Sequence, residues 1–426
     1  MRKLILVLTI VLPLSSHAQI SWDEIDRLAA DAQPQVVEWR RWFHQNPELS
    51  NREFNTAARV TEILVGMGLE PRTGIARTGV VAVIEGGKPG PLVAIRADMD
   101  GLPVTEETGL PFASKARGEY KGNEVGVMHA CGHDNHMAMA LGTAWVLNEV
   151  KQELPGSVML IFQPAEEGAP EGEEGGASLM LEEGLFAERK PEAVFGQHVG
   201  INQPGGQIAV RAGPLMAASD RFKMVVKGRQ THGARPWNGV DPIVVASQIV
   251  LGLQTIESRQ VDVTKAPSIV SVGRISGGIR SNVIPDSVEM EGTIRTFDAE
   301  MREQIHVRIE RTARLIAESA GASIEFELIS GNPAVLNDAQ LLDRMMPTLK
   351  RVSGDRAVAD VQPQTVAEDF SLFVQEIPGL YFFLGNGLPG VDPATLPSNH
   401  SPLFDMYEPS LEMGVRALSH LVVDYL

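Results

Sequence analysis

Three histidines and the only cysteine of the chain fall within Val127-Met-His-Ala-Cys-Gly-His-Asp-Asn-His-Met137. Thiolate and imidazole are donors that zinc and its neighbours in the first transition row prefer. A run with helical spacing, Met137, Ala140, Leu141, Ala144 and Trp145, follows at once, so the cluster reads as a strand-to-helix junction. Glu166-Glu167, His198 and His400 each stand at the end of an apolar run or in a Pro/Gly-rich loop. Of two adjacent glutamates, one can bind a cation while the other stays free as a base. Amide hydrolysis needs a polarised carbonyl, an activated water and a proton for the departing amine, and paired metals with a free carboxylate meet those needs. A rival pair, Glu173-Glu174, lies in the acidic stretch Glu166–Glu183, which otherwise reads as a solvated loop.

The elements that must position these residues are legible as short apolar runs. Gly79–Glu85, Pro91–Asp98, Ser157–Phe162 and Ala193–Gly196 are bounded by Gly and Pro and read as buried strands, the first two joined by a hairpin-like turn at Gly86-Gly-Lys-Pro-Gly90. In a parallel sheet the carboxyl ends share one edge, so Asp98, Asp100, Glu166, Glu167 and His198 are expected to converge there. Helices are expected at Trp22–Phe43, interrupted near Pro34, and at Asn55–Met67. From Gly213 onward the pattern becomes β-α-β-β-α-β, that of a ferredoxin-like unit, after which α/β character resumes. We therefore expect an α/β protein whose largely parallel catalytic sheet is built from 19–213 and 331–426, with an inserted α+β lid or dimerisation domain at 214–330.

Composition narrows the function. A chain of 426 residues with a formal net charge of −17 offers no basic tract for nucleic acid. Residues 1–18 have a basic start, an apolar core and a small-x-small end at Ala18, the layout of a secretory signal, which predicts a periplasmic or secreted protein with no stable membrane association once the signal is removed. One cysteine excludes an internal disulfide, so Cys131 is inert, reactive or metal-bound.

The ordered motifs Arg96-Ala-Asp-Met-Asp-Gly-Leu-Pro-Val104, His129-Ala-Cys-Gly-His-Asp134, Gln163-Pro-Ala-Glu-Glu-Gly168, Gln197-His-Val199, Thr231-His-Gly-Ala-Arg-Pro236, Ser281-Asn-Val-Ile-Pro285, Glu368-Asp-Phe370 and Asn399-His-Ser-Pro402 span the chain from about Trp39 onward. In these the chain resembles the metal-dependent amidohydrolases that include aminoacylase, hippurate hydrolase and the plant hydrolases of indoleacetyl-amino acids. The resemblance implies a zinc-exopeptidase-like fold and two divalent ions (Zn, Mn, Ni or Co), with Cys131 bridging, His133 and His198 on one ion, and Glu167 and His400 on the other. It implies Glu166 as general base, Asp98 orienting a ligand, and His232 steadying the oxyanion from a neighbouring subunit or by domain closure. Asn282 and Arg295 would meet the substrate carbonyl or carboxylate. The expected substrate is an N-acyl amino acid; a metallo-dipeptidase or carboxypeptidase shares this apparatus, and a non-catalytic metal- or ligand-binding protein is the reading from a different class. A homodimer or higher homo-oligomer fits the inserted domain. The segment Ala169–Glu174 departs from the family pattern as an insertion.

Overall fold

The computed structural model describes residues 20–358 and 361–426; the signal-like segment 1–18 lies outside the described residues. An eight-stranded sheet runs, edge to edge, Arg72–Ile75, Gly79–Glu85, Pro155–Gln163, Lys88–Asp98, Ala193–Pro204, Gly379–Gly387, Ile208–Ala209, Ala357–Val358. Its four central strands, Pro155–Gln163 through Gly379–Gly387, are mutually parallel. They are apolar almost throughout because both faces are covered. The helices Trp22–Gln45, His133–Glu149, Ala339–Ser353 and Ser410–Tyr425 cover one face. Gly176–Glu182 and Phe370–Glu376 cover the other.

Two local expectations are corrected. Gly79–Glu85 and Lys88–Asp98 do not pair as a hairpin: Pro155–Gln163 lies between them, antiparallel to the first and parallel to the second. The Gly-rich turn instead crosses the start of that inserted strand, with Gly87 N–H bonded to the Lys151 carbonyl and Lys88 N–H to that of Leu154. A Cβ on Gly86 would come 2.0 Å from the Gly156 oxygen, so glycine is required for the crossing. Pro34 does not interrupt the first helix, which is continuous from Trp22 to Gln45. Its buried stripe, Ile25, Ala29, Ala32, Val36, Trp39 and Phe43, packs on the helices His133–Glu149 and Ser410–Tyr425, and that burial outweighs one missing backbone bond.

The ferredoxin-like unit is present as read. Strands Ala218–Lys227, Ser268–Ser276, Ser287–Thr296 and Ser323–Ile329 form an antiparallel sheet in which the first and third strands are central. Helices Pro242–Arg259 and Ala299–Ser319 pack on one face through Val245, Ile249, Leu253, Ile305 and Ile309. Asp220 ties sheet to helix, accepting from Arg302 Nε (2.8 Å) and lying 2.9 Å from His306 Nε2. Among the described residues no helix is long and apolar enough to cross a membrane.

Candidate metal centre

The carboxyl edge of the parallel strands gathers the expected donors. Cys131 and His133 flank Gly132, which has φ +96°, and a Cβ there would lie 2.2 Å from Val199 Cγ2. Only glycine can therefore present the thiol and the first helical imidazole side by side. His198 is carried within Ala193–Pro204, a strand longer than its apolar run, because pairing with Gly379–Gly387 continues past Gly196 while pairing with Lys88–Asp98 ends there. His400 adopts φ +68°, held by its N–H to the Ala130 carbonyl (2.8 Å) and by Asn399 Nδ2 to the Cys131 carbonyl (2.9 Å). Such conformations persist only where neighbouring contacts over-determine them.

Two donor sets share the cysteine: Cys131 with His133 and His198, and Cys131 with Glu167 and His400, each within 4.8 Å. Cys131 Sγ lies 3.5 Å from His198 Nε2 and 3.2 Å from His400 Nε2. His198 Nδ1 is 2.9 Å from the Val199 carbonyl, which takes its proton and leaves the Nε2 lone pair turned to the thiol. Both nitrogens of buried His133 lack a hydrogen-bond partner, and Glu167 Oε1 lies 3.2 Å from His400 Nε2 without making a hydrogen bond. Buried polar atoms that converge without satisfying one another suit a cation between them.

The electrostatics agree. Burial, then the charges of Glu167 and Glu166, push the Cys131 thiol well above its ordinary range. Burial, then Glu368 and Glu167, push the Glu166 carboxyl well up. Burial pulls His198 down to about 3. For His133 burial also lowers the ring, but Asp98 and Asp100 outweigh it and carry it to about 10. The acids thus draw protons onto His133 and Glu166, and a divalent ion would supply that positive charge in the protons' place. The donor set fits two divalent ions.

Behind the donors stands a buried frame that sequence reasoning left largely unassigned. Asp100 accepts from the N–H groups of Glu166 and Glu167 (both 3.1 Å) and from Ser50 Oγ (2.7 Å), and lies 3.3 Å from His133 Nδ1. Asp98 is 3.8 Å from His133 and makes its short contact, 2.6 Å, with His136 Nδ1. His136 in turn accepts the Val199 N–H on Nε2 (2.9 Å), so both its nitrogens are used and Asp98 acts on the strand that carries His198. Arg96, fully buried, donates to Asp98 (2.7 Å), Glu368 (2.8 Å), Asp369 (2.9 Å) and Gln163 (2.8 Å). Glu53 holds the Ala165 N–H at 2.8 Å where that residue takes φ +52°, just before the glutamate pair. The Asp-x-Asp spacing at the end of an apolar run was the available signal for Asp100; nothing local marked Glu53.

The remaining candidates separate. Glu173 is bound to Arg52 (2.6 Å) and Asn51, so the rival acidic pair belongs to a surface ion pair. Arg295 lines the pocket of about 600 Å³ that opens over Cys131, Glu166, His198 and His400. His232 and Asn282 do not line it; they stand exposed on the ribbon formed by Thr231–His232 and Val283–Ile284. Arg221, Met216, Gln364 and Phe383 line the pocket and had not been singled out.

Residues 94–424 match the family described as Peptidase family M20/M25/M40. Thermostable carboxypeptidase 1 of Saccharolobus solfataricus is 39% identical over 409 residues, covering 95% of this chain and 99% of its own. N-acetylcysteine deacetylase of Bacillus subtilis is 39% identical over 392 residues, covering 91% and 96%. The crystal structure of the Bacillus subtilis YXEP protein, described as a dinuclear metal binding peptidase from the M20 family, superposes with a TM-score of 0.78 at 36% identity, covering 93% of this chain and 99% of that one. With the shared cysteine, the donors around it and the sheet that carries them all in place, the chain belongs to peptidase family M20/M25/M40.

Proposed function

We propose that this protein hydrolyses the amide bond of N-acyl amino acids or similar small conjugates, with Cys131, His133, Glu167, His198 and His400 holding two divalent ions. When bound, the ions would polarise the scissile carbonyl and make water acidic enough to be deprotonated at neutral pH. Glu166 is the proton carrier: it is the one glutamate of the pair left outside the Cys131-centred donor sets, and its raised affinity for a proton suits it to accept one from water and deliver it to the leaving nitrogen. Asp100 fixes the backbone of both glutamates, so ligand and base keep their separation. Arg295 offers a guanidinium to a substrate carboxylate across the pocket. His232 accepts the Ala234 N–H on Nδ1 at 3.0 Å, which places the proton of the neutral ring on Nε2 as a donor for an oxyanion; it would reach the reacting carbon by closure or from a second subunit.

The observation that carries this reading is one buried thiol common to two donor sets with a free carboxylate beside it. Relatives named as a deacetylase and as a carboxypeptidase differ in what lies on the acyl side of the bond. The test is Glu166→Ala: it should retain two ions per chain and lose turnover of N-acetyl amino acids by at least about a hundredfold, the scale of a lost general base. Retained turnover, or loss of metal in parallel with turnover, would contradict the assignment.

A further inference from the structure

The wall of the pocket opposite the donors is the open face of the ferredoxin-like sheet, and it carries two arginines. Arg221 lies on the central strand Ala218–Lys227 and Arg295 on its neighbour Ser287–Thr296. The register pairs Ser219 with Arg295 and Arg221 with Thr293, so the two arginines are diagonal neighbours on one face. Thr293 stands between them, and Arg295 Nη1 donates to the Thr293 hydroxyl and, at 3.1 Å, to the Ile294 carbonyl, which turns its head toward the Arg221 row.

Among the described residues neither guanidinium makes an ion pair; Glu291 and Glu327, both diagonal to Arg221, stand opposite Lys223. Asp220, the acid nearest in sequence, points to the helical face, where Arg302, His306 and the Gly331 N–H occupy it. Glu289 and Glu291 on the same sheet face pair with Arg274. Two neighbouring guanidiniums on the pocket wall, neither held in an ion pair, are available to take the negative charge of a ligand.

We propose that Arg221 forms a second anion subsite beside Arg295, so that the enzyme prefers amides whose amino-acid half carries two carboxylates, an acidic amino acid such as glutamate or aspartate. Both arginines stand on one wall, so both carboxylates lie on the same side of the reacting carbon. A dicarboxylic acyl group on a neutral amino acid would place its two charges on opposite sides of that carbon and gains little from this pair. The inference rests on the amide-hydrolase reading above and names the substrate class of the same site.

The experiment compares kcat/KM for N-acetyl-glutamate, N-acetyl-glutamine and N-succinyl-glycine in the metal-loaded full chain and its Arg221→Gln variant. Calorimetric binding of free glutamate against glutamine accompanies it. The expected result is a preference for the glutamate over the glutamine conjugate of about 10- to 100-fold, the worth of one charge-assisted pair, collapsing to within about threefold in the variant. Equal use of the two conjugates by the parent protein, an equal loss on both in the variant, or a preference for N-succinyl-glycine overturns the proposal. If no amide is turned over, the amide-hydrolase reading fails, and the binding arm still decides the subsite: glutamate favoured by the parent but not by the variant upholds it, and indifference in the parent rejects it.

Discussion

Asp100→Asn is the perturbation that most directly tests how the centre is held. The carboxylate accepts three hydrogen bonds, two from the consecutive N–H groups of Glu166 and Glu167 at 3.1 Å and one from Ser50 at 2.7 Å, and is buried to 1% exposure. An asparagine keeps the shape but replaces one acceptor oxygen with an N–H₂ group that meets another donor. One charge-assisted bond is lost and one buried N–H is left unpaired, about 2–4 kcal/mol together. The damage falls on the backbone that positions Glu167, the proposed ligand, and Glu166, the proposed base. Groups that orient metal ligands are worth 10–100-fold in metal affinity, about 1.4–2.7 kcal/mol, so most of the local loss should appear as weakened binding. The assay is metal content per chain across a series of chelator-buffered free Zn²⁺ and Mn²⁺ concentrations, with thermal unfolding measured with and without metal. The expected variant folds, melts within a few degrees of the parent without metal, and needs 10–100-fold more free metal for half occupancy. An Asp100→Asn protein whose melting temperature falls while its metal affinity is unchanged would refute the reasoning and leave Asp100 a purely structural acid.

The other expectations are shorter. Cys131→Ser should weaken both ions while His133→Ala chiefly affects one, read as metal stoichiometry; full content of two ions in Cys131→Ser would return the thiol to the inert core. Gly132→Ala places a methyl 2.2 Å from Val199 Cγ2 at φ +96°, and left-handed strain with overpacking predicts a loss of about 2–4 kcal/mol, measured by denaturant unfolding. His44 lies between Asp134 (2.9 Å) and Glu106 (3.1 Å); burial lowers its pKa but these two acids more than compensate, raising it to about 9. A folded pKa above the unfolded value of about 6.5 means its stabilisation, up to about 3 kcal/mol, is complete below pH 6.5 and is lost as pH rises through 9. His44→Gln should flatten that alkaline fall in melting temperature, and an unchanged slope would remove His44 from the account.

How much was legible follows from what each pattern encodes. The cluster around Cys131, the glutamate pair and the two distant histidines were readable because they sit at the ends of apolar runs, and parallel strands bring such ends to one edge whatever their separation in sequence. The β-α-β-β-α-β unit was readable for the same kind of reason, since alternation over Ala218–Lys227 and helical spacing over Ala299–Ser319 are local. The neighbours of each strand were not local. Nothing in Gly79–Asp98 announces that a strand some 60 residues onward will insert between its two halves, and the glycine-rich turn that looked like a hairpin is a crossing.

The sequence by itself determined the chemistry available: the soft and borderline donors, the spare carboxylate and the arginine of the strand that reaches the pocket. Tertiary structure decided which groups act on one another. It made Asp100 the clamp of the glutamate pair, used up both nitrogens of His136, left His232 and Asn282 on an exposed ribbon outside the pocket lining, and set Arg221 beside Arg295. Period along a strand fixes the face a side chain takes, whereas its partner across the sheet depends on strand order and register, which arise only when distant segments pack.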